Sequence, residues 1–290
     1  MKVNFEEKTY ESYFNIELSN RSDTFFPPGQ SLEGLLGFDS SVLTRDKQLW
    51  NLFMFPMSNS ANNREIDLHE IAKAMENFES SWLKKIPQIK VNVLFQYKKP
   101  EYISSARGKE WHLWGEPYYR YEIYQKQQEL LMCINQKLGS KVLILYVSPA
   151  LYDIRKLLEA HKAKRIIDFS NFQKVSALYG HHCNTYIQAG NYSIANSQPE
   201  KIKNIALLEE LEQIEDRNTG DNIEFVINFC RQISNIMSED KYYSELFNKL
   251  NQRFDNLKND CRLVYNYIML YHFRLLTGIQ CLMQCHKLEK

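Results

Sequence analysis

Hydrophobic and polar residues alternate most regularly at Lys90-Val-Asn-Val-Leu-Phe-Gln-Tyr-Lys-Lys-Pro100. In an extended strand Val91, Val93 and Phe95 share one face, while Asn92, Leu94, Gln96 and Lys98 share the other. This places the Gln96 amide beside the Lys98 ammonium at the strand's end. Pro100 has no N–H to give to a ladder, so pairing should stop there. Upstream, Glu33-Gly-Leu-Leu-Gly-Phe-Asp39 reads as another strand, with an acid at its tip. Val142-Leu-Ile-Leu-Tyr-Val147 reads as a buried strand ended by Ser148-Pro149, with shorter strands expected at Arg165–Asp168 and Thr185–Ala189.

Helical spacing governs the segments between. Residues 7–20 carry Tyr10, Tyr13, Phe14 and Glu17 along one stripe. Leu68 to Trp82 carries Ile71, Met75 and Phe78, with Asp67 as its cap. Further helices are expected at 123–138 and 151–162, with breakers at Phe25–Gln30 and Pro87 and a loop at Asn59–Asn63. Pro199 marks a break, after which helices are expected at 205–214, 223–237, 242–257 and 262–285, with Asp216–Asp221 as a linker. The pattern predicts an α/β domain over residues 1–200 and a helical appendage over 201–290, without internal repeats.

Lys+Arg and Asp+Glu number 36 and 35, a net charge of +1, so the whole chain is neither a disordered tail nor strongly basic. A nucleic-acid partner would have to be met by a local patch. No apolar run of about 18 residues suggests a membrane span, and the first residues lack the h-region of a signal peptide. The six cysteines form no Cys-x-x-Cys pair and are expected reduced and mostly buried, in a cytoplasmic protein. No Gly-x-Ser-x-Gly, Walker-type or Gly-x-Gly-x-x-Gly element occurs, which argues against serine hydrolases, P-loop NTPases and dinucleotide enzymes.

An acid at one strand tip and a polar-x-Lys at another suits a divalent cation and a phosphodiester. Over roughly residues 7–150 the order of elements resembles the PD-(D/E)XK restriction-endonuclease-like superfamily. The branch it resembles has Gln in place of the second acid, as in Mrr-type nucleases and related anti-phage effectors. The resemblance implies a restriction-endonuclease-like mixed sheet flanked by helices. It assigns Asp39 to the metal-binding Asp, Gln96 to the place of the second acid and Lys98 to the lysine. Glu17 is the choice for the acid on the first helix, with Glu11 and Glu33 as competitors. The interval from Asp39 to Gln96 is longer than in compact members, leaving Asp46 and Asp67 as alternative partners. Mg²⁺ (or Mn²⁺) would be held by Asp39, Gln96, Glu17 and a carbonyl near Tyr97. The metal polarises the phosphate and acidifies a bound water, and Lys98 orients or deprotonates that water or stabilises developing charge. A neutral Gln removes one negative charge, so metal binding should be weak until substrate phosphate completes the shell.

Between Lys84 and Gln127 nine Lys or Arg face four Glu. Within this stretch Lys99, Arg107, Lys109, Trp111 and Arg120 are the candidate nucleic-acid contacts, read as part of a basic, aromatic loop over 99–121. Tyr119 and Tyr121 are expected in the core. His181-His182-Cys183 is not expected to hold a metal, since neighbours on a strand point in opposite directions. Cys281 and Cys285, i and i+4 on the expected last helix, read as core or interface thiols. That helix is apolar on nearly every side and must be buried, under neighbours or against a partner. The expected function is a metal-dependent DNA endonuclease. By analogy it would be an effector of a bacterial anti-phage complex that meets a sensor or regulatory subunit, or its own copies, through 201–290. The rival is a catalytically inactive nucleic-acid-binding or scaffold subunit of a multiprotein complex.

Overall fold

The computed structural model describes residues 2–25, 68–218 and 220–287. Among them the helices in chain order are α1 (Glu7–Arg21), α2 (Leu68–Lys85), α3 (Trp111–Trp114), α4 (Gln125–Leu138), α5 (Ile154–Lys162), α6 (Leu207–Gln213), α7 (Asn222–Glu239), α8 (Ser244–Asn251) and α9 (Arg262–Thr277). The strands are β1 (Thr24–Phe25), β2 (Ile89–Tyr97), β3 (Glu101–Ile103), β4 (Tyr118–Glu122), β5 (Val142–Pro149), β6 (Ser170–Lys174), β7 (Cys183–Tyr186), β8 (Tyr192–Asn196), β9 (Glu200–Lys203) and β10 (Gln280–Cys285). The chain is a mixed α/β protein with two sheets flanked by helices. The expected strand at Glu33–Asp39 and the loop at Asn59–Asn63 lie outside the described residues.

β2 is the centre of the first sheet, whose order is β1-β10-β2-β5-β6. It pairs in parallel with β5 and antiparallel with β10, so both its edges are used. Both faces are covered as well, and every β2 residue but Lys90 is buried. Odd positions meet α1: Phe14 packs edge-on against Phe95 and Tyr97, with ring centroids 5.7 and 5.6 Å apart. Even positions face α4, whose Gln128 accepts the Tyr146 hydroxyl at 2.6 Å from the strand next to β2. The second sheet, β3-β4-β7-β8-β9, is antiparallel throughout. Tyr186 on β7 joins it to the first by donating to Ser148 Oγ and Pro149 O at 2.7 and 2.9 Å.

The compact units are discontinuous in sequence, where a single boundary near residue 200 was expected. One comprises Met1–Phe25, Ile89–Thr219 and Thr277–Lys290 and holds both sheets; the other comprises Phe26–Gln88 and Gly220–Leu276. Within the second unit, Asn222 at the start of α7 donates to Leu83 O and Pro87 O at the end of α2, at 3.0 and 3.2 Å. The Glu76 carboxylate of α2 accepts Leu263 and Val264 N–H at 3.0 and 2.9 Å, filling orphan donors at the start of α9. The apolar sides of α9 are buried within the chain, which accounts for its composition.

Several expected elements change. The last helix stops at Thr277, because Gly278 takes the left-handed backbone (φ +71°) that ends helices, and β10 follows. Cys281 and Cys285 therefore lie on a strand, and none of the six cysteines forms a disulfide. The 99–121 loop contains β3, α3 and β4. Residues 167–169 form a 3-10 turn instead of a strand, with β6 beginning at Ser170. On α2 the buried stripe is Ala72, Met75, Glu79 and Leu83, while Phe78 is 68% exposed.

Candidate active site

β2 delivers Gln96 and Lys98 to the edge of the first sheet, as alternation requires. The last rung of the ladder is the Lys98 N–H on Val147 O at 2.9 Å, and pairing ends before Pro100. Both side chains are buried and they share one partner, Gln127 in the first turn of α4. Lys98 Nζ donates to Gln127 Oε1 at 2.8 Å, and Gln127 Nε2 donates to Gln96 Oε1 at 2.6 Å and to Thr277 O at 3.0 Å. Gln96 Nε2 in turn donates to Tyr97 O at 2.9 Å. An ammonium can only donate, so the atom of Gln127 facing Lys98 must be its oxygen. That fixes every amide in the run: Lys98 to Gln127, Gln127 to Gln96, Gln96 to Tyr97 O.

Lys98 lies under the Tyr124 ring, 4.6 Å from its centroid, and 5.5 Å from that of Tyr146. Burial pushes its ammonium down to about 8, against the pull of the Glu7 and Glu122 carboxylates. Glu7 begins α1 and reaches the same strand tip, accepting the Lys99 N–H at 2.9 Å. Desolvation raises the Glu7 carboxyl above its ordinary value, while the Lys99 N–H and the Lys98 charge oppose the rise.

Glu17 sits elsewhere. Ten residues of helix separate it from Glu7, roughly 15 Å along the axis at 1.5 Å per residue. Its carboxylate accepts Ile166 and Ile167 N–H at 2.6 and 3.3 Å and pairs with Arg21 at 2.8 Å. Arg21 also reaches Asp168 at 3.0 Å. Glu17 thus caps the 3-10 turn, with both carboxylate oxygens engaged there. Among the competitors, Glu11 is buried and pairs with Lys8 at 2.7 Å. Glu33, Asp39, Asp46 and Asp67 lie outside the described residues.

Of the oxygen atoms at this strand tip, the Glu7 carboxylate accepts the Lys99 N–H, while Gln96 Oε1 faces Gln127 on the side toward α4. Gln96 Oε1 and Tyr97 O both accept internal hydrogen bonds.

The candidate nucleic-acid residues divide. Arg107 and Lys109 are exposed, and Lys99 pairs with Glu6 at 3.5 Å. Trp111 is half-buried against Tyr118. Arg120 is only 7% exposed and held by Glu110, Glu101 and Glu122 at 3.4, 3.5 and 3.2 Å, so it is committed to structure instead of phosphate. Trp114 stacks on Tyr192, whose other neighbour is the Lys201 ammonium, 3.8 Å from its ring centroid.

Ligand atoms of Glu110, His182 and Cys183 come within 4.8 Å of one another. Alternation argued against such a meeting, but His182 precedes β7 and is free of the strand's parity. The cluster is a poor cation site. The Arg120 guanidinium already occupies Glu110, whose second oxygen accepts the Tyr118 hydroxyl at 3.0 Å. Burial raises the Cys183 thiol to about 11, with the Arg120 charge opposing the rise.

Sequence reasoning missed Glu7 and Gln127. Glu7 stands i−7 and i−11 from Phe14 and Leu18, on the stripe that α1 buries, which was a legible signal. Gln127 lies in a run of polar residues, Gln125-Lys-Gln-Gln128, with nothing local to distinguish it. No helix among the described residues is long and apolar enough to cross a membrane. Comparison with family models, with known proteins and with solved structures finds no match to this chain.

Proposed function

We propose that the chain is a metal-dependent DNA endonuclease of restriction-endonuclease-like fold, acting as the effector subunit of an anti-phage defence complex. One observation carries the catalytic part: Gln96 and Lys98 converge on a single partner at the tip of a central strand, beside the carboxylate of Glu7. A lysine depressed to about 8 is poised to exchange a proton near neutral pH, which an ordinary surface lysine is not.

Asp39, Gln96 and Glu7 would hold Mg²⁺ or Mn²⁺, which supplies charge stabilisation at the phosphate and a more acidic water. Lys98 in its neutral form accepts the proton of the attacking water. The Tyr124 and Tyr146 rings shield its amine from solvent, so deprotonation near pH 8 costs less than it would in water. Arg107 and Lys109, exposed on the turn between β3 and α3, contact the phosphate backbone without reading sequence. Docking of a partner or of further copies through 201–290 remains part of the proposal, on surfaces other than the buried sides of α9.

The test is cleavage of plasmid DNA in Mg²⁺ or Mn²⁺ by the purified chain, beside Asp39→Ala and Lys98→Ala. Cleavage lost in both variants is the expected result. Cleavage unaffected by either substitution refutes the assignment. DNA binding without cleavage, indifferent to both, favours the inactive scaffold subunit, for which the amide at position 96 is the supporting observation.

A further inference from the structure

Between the end of β6, the bend at Gly190 and Asn191, and α6 lies a cavity of about 530 Å³, within the range of small-molecule sites. Main-chain bonds tie its walls: Asn204 N–H donates to Asn191 O at 3.0 Å, and Ile205 N–H to Phe172 O at 3.2 Å. The Asn204 side chain donates through Nδ2 to Ala189 O and Gly190 O, both at 2.8 Å. Both partners are carbonyls, so this amide cannot be turned over, and its Oδ1 must face the other way. There it accepts Gln173 Nε2 and the Ser193 hydroxyl, the latter at 2.6 Å. Gln173 is fixed in turn, because only its Nε2 can face an acceptor. Its Oε1 is left as a buried acceptor with no hydrogen-bond partner, on a wholly buried residue of the cavity wall. Such an orphan costs stability until something donates to it.

The rest of the lining divides by chemistry. Ala177, Ile205 and Ala206 give apolar surface. Lys174 and Glu210 neutralise each other at 2.7 Å, which leaves the exposed Lys203 and Glu209 as the cation and the carboxylate for a ligand. A buried acceptor, an apolar wall, one cation and one carboxylate match the parts of a nucleotide. Independently of the nuclease reading, we propose that this cavity binds a nucleoside monophosphate whose base carries an exocyclic amine. The amine donates to Gln173 Oε1 and the base lies on the apolar wall. Lys203 meets the phosphate, and the Glu209 carboxylate accepts the ribose hydroxyls. Hypoxanthine, which has a carbonyl where adenine has its amine, sets acceptor against acceptor at Gln173 and is refused.

The experiment is isothermal titration of adenosine monophosphate (AMP), its 2′-deoxy form, inosine monophosphate and inorganic phosphate into the full chain. The same titrations are made on Lys203→Ala, Glu209→Ala and the similar-sized Gln173→Met, with thermal melts confirming that each is folded. AMP should bind the parent chain, with inosine monophosphate weaker by about tenfold or more and phosphate alone weaker still. Lys203→Ala should weaken AMP by about tenfold. Gln173→Met should erase the preference for AMP over inosine monophosphate, and Glu209→Ala should narrow the gap between AMP and its 2′-deoxy form. If Gln173→Met does not fold, the two variants at exposed positions carry the test. Absence of AMP binding overturns the proposal, and so does AMP binding that Lys203→Ala and Glu209→Ala leave unchanged. Equal affinity of the parent for AMP and inosine monophosphate, or for AMP and phosphate, overturns it as well. Plasmid cleavage is not read in any arm, so failure here leaves the nuclease reading where it stands.

Discussion

The Glu17 carboxylate accepts the Ile166 backbone N–H at 2.6 Å across 149 residues of sequence. With Ile167 N–H and Arg21 as its other partners, this buried acid clasps α1 to the turn before β6. Removing it strands two N–H groups and leaves Arg21 with Asp168 as its carboxylate partner. Glu17→Ala should destabilise the chain by roughly 2–4 kcal/mol, the range for breaking a buried charged hydrogen-bond set. Glu7→Gln should leave thermal stability nearly unchanged but weaken Mn²⁺ binding. Thermal denaturation and Mn²⁺ titration of both variants check the pair; the reverse pattern would return Glu17 to the site.

Lys98 predicts a pH profile. Its folded-state value, about 8, lies below the ordinary 10.5, so folding disfavours the charged form. Stability should therefore rise as pH climbs from 8 toward 10.5 and be flat below 8. A neutral amine acting as the base gives cleavage that increases with pH and levels off above about 8. Initial rates between pH 6 and 9.5 at saturating Mg²⁺ read this directly. A rate that instead falls above 8 assigns Lys98 to stabilising negative charge.

The central strand was legible because β2 obeys simple rules: alternation set the side of Gln96 and Lys98, and Pro100 set the end. Which acid of the first helix stands near the β2 tip was not legible, for a physical reason. Helical periodicity identifies a face but not a height along the axis, and Glu7, Glu11 and Glu17 all lie near the buried stripe of α1. The second sheet went largely unseen, since strands of three to five residues such as Glu101–Ile103 and Tyr192–Asn196 carry too few positions to show a period. β10 was hidden by burial on both faces. Gln280 and Gln284 share a face with Leu282, but both are buried, so Gln280 to Cys285 has no exposed side and reads as a continuation of the apolar helix before it.

On α2, Glu79 is 2% exposed and its Oε2 has no hydrogen-bond partner. Burial alone pushes its carboxyl up to about 7, from an ordinary 4.5. The folded state therefore holds this proton more tightly than the unfolded chain does. The favourable contribution is complete below pH 4.5 and is lost as pH rises to 7, beyond which the buried charge is a constant penalty. Glu79→Gln should stabilise the helical unit by roughly 1–3 kcal/mol at pH 8 and by much less at pH 5. Melting temperatures at the two pH values decide it. An equal shift at both would mean the carboxylate is not titrating between them.

Arg120 and the pair Arg107 and Lys109 should respond oppositely to substitution. Arg120 bridges three carboxylates from β3, the turn before α3 and β4 itself, so Arg120→Ala leaves Glu110 buried beside Cys183 with no counter-charge. It should lower stability by roughly 3 kcal/mol or more while leaving the salt dependence of DNA binding unchanged. Arg107 and Lys109 are exposed, and each that meets a phosphate releases about one counter-ion. Arg107→Ala and Lys109→Ala should each reduce the slope of log K against log salt by about 0.9, additively, with no change in melting temperature. Fluorescence anisotropy of a labelled duplex across 50–300 mM salt, on the order of the usual range, measures both. An unaltered slope in the double variant would move the DNA path away from the β3–α3 turn, toward the Trp114–Tyr192–Lys201 stack on the second sheet.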